Sequence, residues 1–423
     1  MSHIAVVGAG VTGVTTAYAL SRRGFQVTVF DRHRYSGMET SFANGGQLSV
    51  SNAEVWNKVS TIIQGLKWMA RRDAPLLVNP APSWHKYSWM AEFISQISRY
   101  EANTIETVRL AIAARTRLFA MAEHENIDFN LERRGILHFY RDKAGFDKAV
   151  KVSALLRRGG LERREVTPAE IRSIEPTLKG SYYGGLFTPS DSTGDIHKFT
   201  RGLSEACARR GVKFRYDCAV EDIVPAGGRW QVNWLPVARD IDGAQIEHWE
   251  PVVADGVVIC AGCGSRALAS PLGDRLNIYP VKGYSITAHL GDPISQEAAP
   301  EVSILDDATK IVTSRLGRDR FRVAGTAEFN GFNRDIRHDR VEPLIRWCRE
   351  QFPQMATDRV VAWTGLRPMM PGMLPRVGPG RRRGIFYNTG HGHLGWTLSA
   401  ATAELAAEAV ERAMPARSSD PVA

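Results

Sequence analysis

Gly8, Gly10 and Gly13 follow directly on the apolar run Ile4-Ala5-Val6-Val7 and open onto an apolar-periodic stretch, an order that reads strand, glycine turn, helix. In such a turn Gly8 permits the tight reversal, Gly10 leaves no side chain between the backbone and a pyrophosphate, and Gly13 lets the helix pack close to the strand. The pyrophosphate then rests at the helix start, beside Val11 and Thr12, where unpaired N–H groups and the helix dipole both favour negative charge. Residues 26–30 form a second strand-like run, and Asp31 at its end can accept hydrogen bonds from ribose hydroxyls. The alternative is a glycine-rich turn with no ligand.

A second strand, glycine turn and helix start occurs at Asn388-Thr389-Gly390-His391-Gly392-His393-Leu394-Gly395-Trp396-Thr397. A helix N-terminus aimed at the N1/C2 edge of a flavin stabilises the negative charge of the reduced ring. Nicotinamide chemistry does not require this second cap, which favours FAD as the dinucleotide. Between the two lies Thr40-Ser41-Phe42-Ala43-Asn44-Gly45-Gly46-Gln47-Leu48, with hydroxyls, an amide and paired glycines soon after the ribose-binding strand. Read alone, it is a polar loop.

The elements that must position these groups follow from periodicity. After the opening β-α-β unit, residues 56–123 turn helical, with Val59, Ile62, Ile63 and Leu66, then Ile105, Val108 and Ile112, recurring at three and four residues. The proline-rich stretch 75–82 breaks that run. Residues 135–139 read as a strand, and Thr167 with Glu170 forms the capping box of a short helix. A helix over 196–209 leads into a strand at 212–216, and Val257-Val258-Ile259-Cys260 is another buried strand of the first sheet. Alternating runs between 279 and about 362 predict an antiparallel sheet with one face covered. Residues 385–388 return as a strand before a closing alanine-rich helix from Gly395, with a frayed tail beyond 415. The fold class is therefore α/β: a Rossmann-like dinucleotide-binding domain (1–52, 192–275, 360–415) around a discontinuous α+β substrate domain (53–191, 276–359), with a tail at 416–423.

The chain has 423 residues, enough for two or three domains, and its 43% hydrophobic residues can fill sizeable cores. No stretch approaches the roughly 20 apolar residues that cross a bilayer, and the chain opens on a strand rather than a secretory leader. Five cysteines, an odd number, argue against a disulfide framework and for a reducing, cytoplasmic compartment. Cys260 and Cys263 form C-x-x-C, but no second pair stands at ligand spacing, so no metal site is expected and the pair reads as strand end and turn. The net charge of +9 favours anionic substrates or lipid headgroups. Nucleic acid is not expected, because no helix-turn-helix, zinc module or RNA-binding signature is present.

Taken with Tyr279-Pro280-Val281-Lys282-Gly283-Tyr284-Ser285 and Trp363-Thr364-Gly365-Leu366-Arg367-Pro368, the glycine motifs resemble the bacterial FAD-dependent D-amino acid dehydrogenases, relatives of glycine oxidase, from end to end. The resemblance implies noncovalent FAD, a glycine oxidase-like two-domain fold, and oxidative deamination of D-amino acids with electrons passed to a respiratory acceptor. Carried onto this chain, Gly8, Gly10, Gly13 and Asp31 hold the ADP half, with Arg32 beside the ribose and Val220 by the adenine. Thr40, Ser41, Gly46, Gln47 and Leu48 line the pyrophosphate and ring. Ala261, Gly262, Gly365, Gly390, Gly392, His393, Leu394, Gly395, Trp396 and Thr397 border the flavin. Cys260-Ala261-Gly262 departs from relatives that often carry a small residue there.

Within that resemblance Arg367 is the candidate substrate anchor, since a carboxylate is best met by a planar, permanently charged, bidentate partner. Tyr284 and His391 are the other candidate substrate contacts, and no residue is assigned as a general base. Alternatives in the same frame are a D-proline or cis-4-hydroxy-D-proline dehydrogenase and an oxygen-using glycine or sarcosine oxidase. A nonenzymatic FAD-binding subunit is the reading from another class. Peripheral association with the cytoplasmic face of the inner membrane is compatible with the basic surface; oligomeric state is not legible.

Overall fold

The computed structural model describes residues 1–69, 75–237 and 250–414. The expected tail at 416–423 lies outside the described residues. At the centre of a six-stranded sheet stands His3–Val7, in the order Arg376–Pro379, Ile385–Thr389, Gly256–Ile259, His3–Val7, Gln26–Phe30, Lys213–Arg215. Every pairing is parallel except that of the edge strand Arg376–Pro379. Ile4, Ala5 and Val6 are all fully buried, which is why this strand reads as a continuous apolar run rather than an alternation.

Helices Val11–Arg22, Ile196–Arg209 and Gly395–Ala413 share one core beside this sheet, where Val14 and Ala17 meet Phe199, Leu203, Ala400, Ala403 and Ala407. The alanines let the helices approach closely. Behind Ala5, Val7 and Ile259, the antiparallel strands Cys218–Ala226, Arg229–Pro236 and Val252–Ala254 supply Trp230, Val232 and Trp234 to a second core. This three-stranded sheet was not foreseen, because its strands are half exposed and interrupted by charge.

A nine-stranded sheet runs Val360–Met369, Tyr279–His289, Arg320–Phe329, Ile311–Arg315, Ser303–Asp306, Ile136–Tyr140, Gly184–Thr188, Arg164–Val166, with Leu76–Val78 beside Arg320–Phe329. Its centre is covered on both faces, not one: Tyr279 through Ala288 are all buried. Helix His338–Gln351 supplies Leu344, Trp347 and Cys348 to one side. On the other, Ser285 Oγ, Ser314 Oγ and Arg322 Nη1 donate to the carbonyls of Ala43, Gly45 and Asn44 at 2.6, 2.6 and 2.9 Å. The polar loop before Gln47 is therefore clamped onto this sheet.

Two further differences concern boundaries. Val360–Met369 pairs along its length with Tyr279–His289, so on hydrogen bonding the crossover to the six-stranded sheet lies after Met369 rather than at 360. The proline-rich stretch contains the strand Leu76–Val78, and helix Lys143–Arg158 follows the strand Ile136–Tyr140, where the periodicity predicts none.

Candidate active site

A cavity of about 950 Å³ runs from Asp31, at the end of Gln26–Phe30, and Val220, on the three-stranded sheet, to Arg367 and Thr326 on the nine-stranded one. All but two of the positions expected against a dinucleotide line it. Of the exceptions, Leu48 faces the shared helix core, since Gln47 and Leu48 are successive strand residues and point oppositely. Gly13 is packed against the turn itself, where an added Cβ would stand 1.8 Å from the Gly8 carbonyl oxygen.

The opening turn needs its glycines for separate reasons. Gly8 has φ +107°, and a Cβ there would meet the Cys260 carbonyl oxygen at 2.6 Å. At Gly10 a Cβ would touch only Ser41 Oγ, at 3.5 Å, so this position is open toward the cavity. Helix Val11–Arg22 has no side-chain bond at its N-cap Gly10, although Ser41 Oγ accepts from the Val11 N–H at 3.0 Å. Asp31 accepts from the Ala9 N–H at 2.6 Å and the His33 N–H at 2.9 Å. A carboxylate has about four acceptor positions, so capacity for ribose hydroxyls remains. Burial raises the Asp31 carboxyl above its ordinary range. Arg32 lines the same end, but its guanidinium pairs with Glu39, which also takes Arg334 at 2.8 Å.

At the far end helix Gly395–Ala413 also begins on the cavity without a side-chain cap. Thr397 Oγ1 accepts from the Ser49 N–H at 3.2 Å, tying this helix start to the clamped loop. Trp396 is buried against Phe129 and Phe199, with no hydrogen-bond partner for its Nε1 among the described residues. Two uncapped helix starts, an open glycine and an acid at the strand end fit an elongated dianionic dinucleotide such as FAD. Gly8, Gly10 and Asp31 would hold its ADP half, and residues 390–397 its ring.

The two histidines of the closing turn separate. His391 Nε2 bonds Thr402 Oγ1 at 2.9 Å inside the helix core, and burial lowers its pKa to about 3. His391 lines the cavity, but its Nε2 is occupied by Thr402 rather than offered to a substrate. His393 instead stacks on Trp56 with centroids 4.6 Å apart, and its Nε2 lies 3.4 Å from the Asn52 carbonyl. Burial and then the nearby Arg367 lower it to about 4, so it is neutral at pH 7.

Arg367 lies on the cavity face of Val360–Met369, with one long hydrogen bond from Nη1 to the Thr326 carbonyl at 3.4 Å and no ion pair to an acid among the described residues. Burial lowers its pKa to about 10, which leaves it fully charged at pH 7. A desolvated cation without an acid partner is costly unless an anion completes it. Tyr284 also lines the cavity, but its hydroxyl does not join Arg367. Alternation along Tyr279–His289 sends Gly283 and Ser285 toward the cavity but the side chains of Lys282 and Tyr284 to the opposite face. There Tyr284 Oη donates to Glu328 Oε1 at 3.2 Å and Lys282 Nζ pairs with Glu328 at 3.1 Å. Trp56, Trp363, Thr326 and Asn52 also reach this end and were not foreseen; only their placement in space distinguishes them from ordinary core or loop residues.

Neither C-x-x-C thiol is poised to ionise. Burial raises both Cys260 and Cys263 to about 12, and all five cysteines are free.

A family model described as FAD dependent oxidoreductase matches residues 3–409. The chain is 61% identical over 415 residues to a protein of Mesorhizobium japonicum named D-amino acid dehydrogenase 3, covering 98% of each. It is 41% identical to a D-amino acid dehydrogenase of Paramagnetospirillum magneticum, covering 96% of this chain and 94% of that one. Among solved structures, glycine oxidase from Geobacillus kaustophilus superposes with TM-score 0.73 at 20% identity, over 97% of this chain and 95% of that one. The Gly8 turn, the capless second helix start and the clamped loop between them thus sit in a shared fold, and the chain belongs to the FAD-dependent oxidoreductase family.

Proposed function

We propose that this chain oxidises D-amino acids to 2-oxo acids and ammonia and passes the electrons to a respiratory acceptor. The observation that carries the substrate class is Arg367, a part-buried guanidinium facing the cavity with no acid to neutralise it among the described residues. The names of the relatives at 61% and 41% identity support the D-configuration and the dehydrogenase chemistry. In this reading the parts built on the six-stranded sheet carry FAD and those on the nine-stranded sheet carry the substrate.

Bound FAD supplies the acceptor for the hydride that leaves Cα, so the protein's task is to place that hydrogen. Arg367 binds the carboxylate through paired N–H donors and fixes one end of the substrate. His393, neutral beside it, adds no second positive charge next to the ammonium group, which must lose a proton before hydride departs. Trp56 and His393, stacked as one wall, restrict water at the same end. Held in a near-attack pose, the substrate can gain roughly 7–11 kcal/mol from orientation alone, so no dedicated base at Cα is required. The imino acid then hydrolyses.

The test is anaerobic bleaching of the bound flavin by D-alanine, D-proline, cis-4-hydroxy-D-proline and D-arginine against their L-enantiomers. D-selective bleaching is expected, and readmitted air should restore the oxidised spectrum slowly if oxygen is not the acceptor. Arg367→Ala should cost about 1.5–3 kcal/mol of substrate recognition, roughly 10- to 150-fold in kcat/KM, with FAD retained. Flavin that no D-amino acid bleaches would refute the assignment in favour of a nonenzymatic subunit.

A further inference from the structure

We infer that Gly283 and Thr326 are positioning residues that form a cradle for the Arg367 guanidinium and so set the strength of carboxylate binding. This rests on the reading of Arg367 as the carboxylate anchor. Gly283 stands opposite Gly365 where Tyr279–His289 pairs with Val360–Met369, so two neighbouring strands together lack side chains at one place on the cavity face. Both gaps are filled. The Trp363 ring lies over Gly365, and the Arg367 guanidinium lies over Gly283, where a Cβ would stand 2.2, 2.3 and 2.5 Å from Nη2, Cζ and Nη1. A flat guanidinium can rest on bare backbone only where no Cβ projects. The Gly283 backbone itself is not in the left-handed region, so the residue type is demanded by Arg367 rather than by a turn.

Thr326 closes the other side. The register between Tyr279–His289 and Arg320–Phe329 shifts here, Gly283 facing Ala327 and Tyr284 facing Gly325, which leaves Thr326 as the extra residue of a bulge. Its φ is +57°, a conformation that β-branched residues rarely adopt. Bulges re-aim groups beside sites. Here the consequence is that the Thr326 carbonyl leaves the strand ladder and accepts from Arg367 Nη1 at 3.4 Å. One weak bond and a sterically shaped bed hold the guanidinium, leaving most of its donors for a ligand.

The cradle is tested with the FAD-loaded enzyme and Gly283→Ala. Because the three atoms nearest the added methyl all belong to the far end of a flexible side chain, the protein should fold and keep its FAD while Arg367 is pushed aside. The dissociation constant of propionate, a carboxylate without an amine, is read from the flavin absorbance, with KM and kcat for the best D-amino acid. Gly283→Ala should raise the propionate constant and KM at least tenfold, change kcat much less, and have no further effect in an Arg367→Ala background. An unchanged propionate constant, or an effect that persists without Arg367, overturns the cradle while leaving the anchor standing. If Arg367→Ala itself leaves propionate binding unchanged, the anchor and the cradle fall together. Should Gly283→Ala lose FAD, the same change is made beside Arg367→Lys, whose narrower terminus clears the methyl. Recovered FAD there supports the cradle, and FAD loss in both backgrounds overturns it.

Discussion

His391 is an unusual group to bury: its ring is held neutral, with a pKa of about 3, by removal from water, and its Nε2 bonds Thr402. In the unfolded chain the same ring titrates near 6.5, so below that pH the unfolded state binds the proton and the folded state does not. Stability from this residue is therefore complete above pH 6.5 and is lost as the pH falls toward 3. Between pH 7 and 5 the loss is about 2 kcal/mol. His138, fully buried, and His393 act in the same direction. His391→Gln, which can still bond Thr402 but cannot titrate, should remove about that amount of the difference in unfolding free energy between pH 7 and 5. An unaltered difference would show that the ring is accessible to protons in the folded state. A histidine between two glycines in a ligand turn reads in the sequence as a ligand contact secondary to the Arg367 anchor. Both residues line the cavity, but the His391 ring is tied to Thr402 while the Arg367 guanidinium keeps most of its donors free.

At the scale of elements, the two uncapped helix starts and the turn before the first of them make separable demands. Gly8→Ala places a methyl 2.6 Å from the Cys260 carbonyl on backbone at φ +107°, so both the neighbouring strand and the turn must shift. A cost of about 2–3 kcal/mol and loss of FAD are expected. Gly10→Ala meets only Ser41 Oγ at 3.5 Å, so the apoprotein should melt like the parent while FAD affinity falls. Melting of the two apoproteins and flavin content after purification check this, and equal melting would contradict it. These elements were legible in sequence because their signals are local: apolar runs for buried parallel strands, a capping box at Thr167 and Glu170, a glycine at each turn. Arg320-Phe321-Arg322-Val323 misled for the converse reason. Alternation suggested a solvated face, but Arg322 is buried and holds the Asn44 carbonyl, and only a loop arriving from nearly 280 residues away in sequence makes that burial tolerable.

At the scale of the whole molecule, one apolar stripe on the surface stands out. Helix Trp84–Ser95 exposes Trp84, Tyr87 and Ile94 along one side, and the chain carries a net charge of +9. We propose that this stripe, with the basic surface, brings the enzyme to an anionic membrane; no helix among the described residues is long and apolar enough to cross one. Co-sedimentation with phosphatidylglycerol vesicles should be strong at low salt, weaken as the Debye length shortens, and diminish in Trp84→Ala. Protein left in the supernatant at low salt would refute it. The cofactor class was readable from sequence alone, because a dinucleotide is bound mainly by backbone N–H groups whose exposure depends on glycines at short spacing. Which side chains meet the substrate was not. Arg367 works only where Gly283 and Thr326, 84 and 41 residues earlier, bring bare backbone and a turned carbonyl beneath it, and the Tyr284 hydroxyl is drawn to Glu328 instead. Strand register and the packing of one sheet against a distant loop decide those contacts, and neither is encoded by any local run of residues.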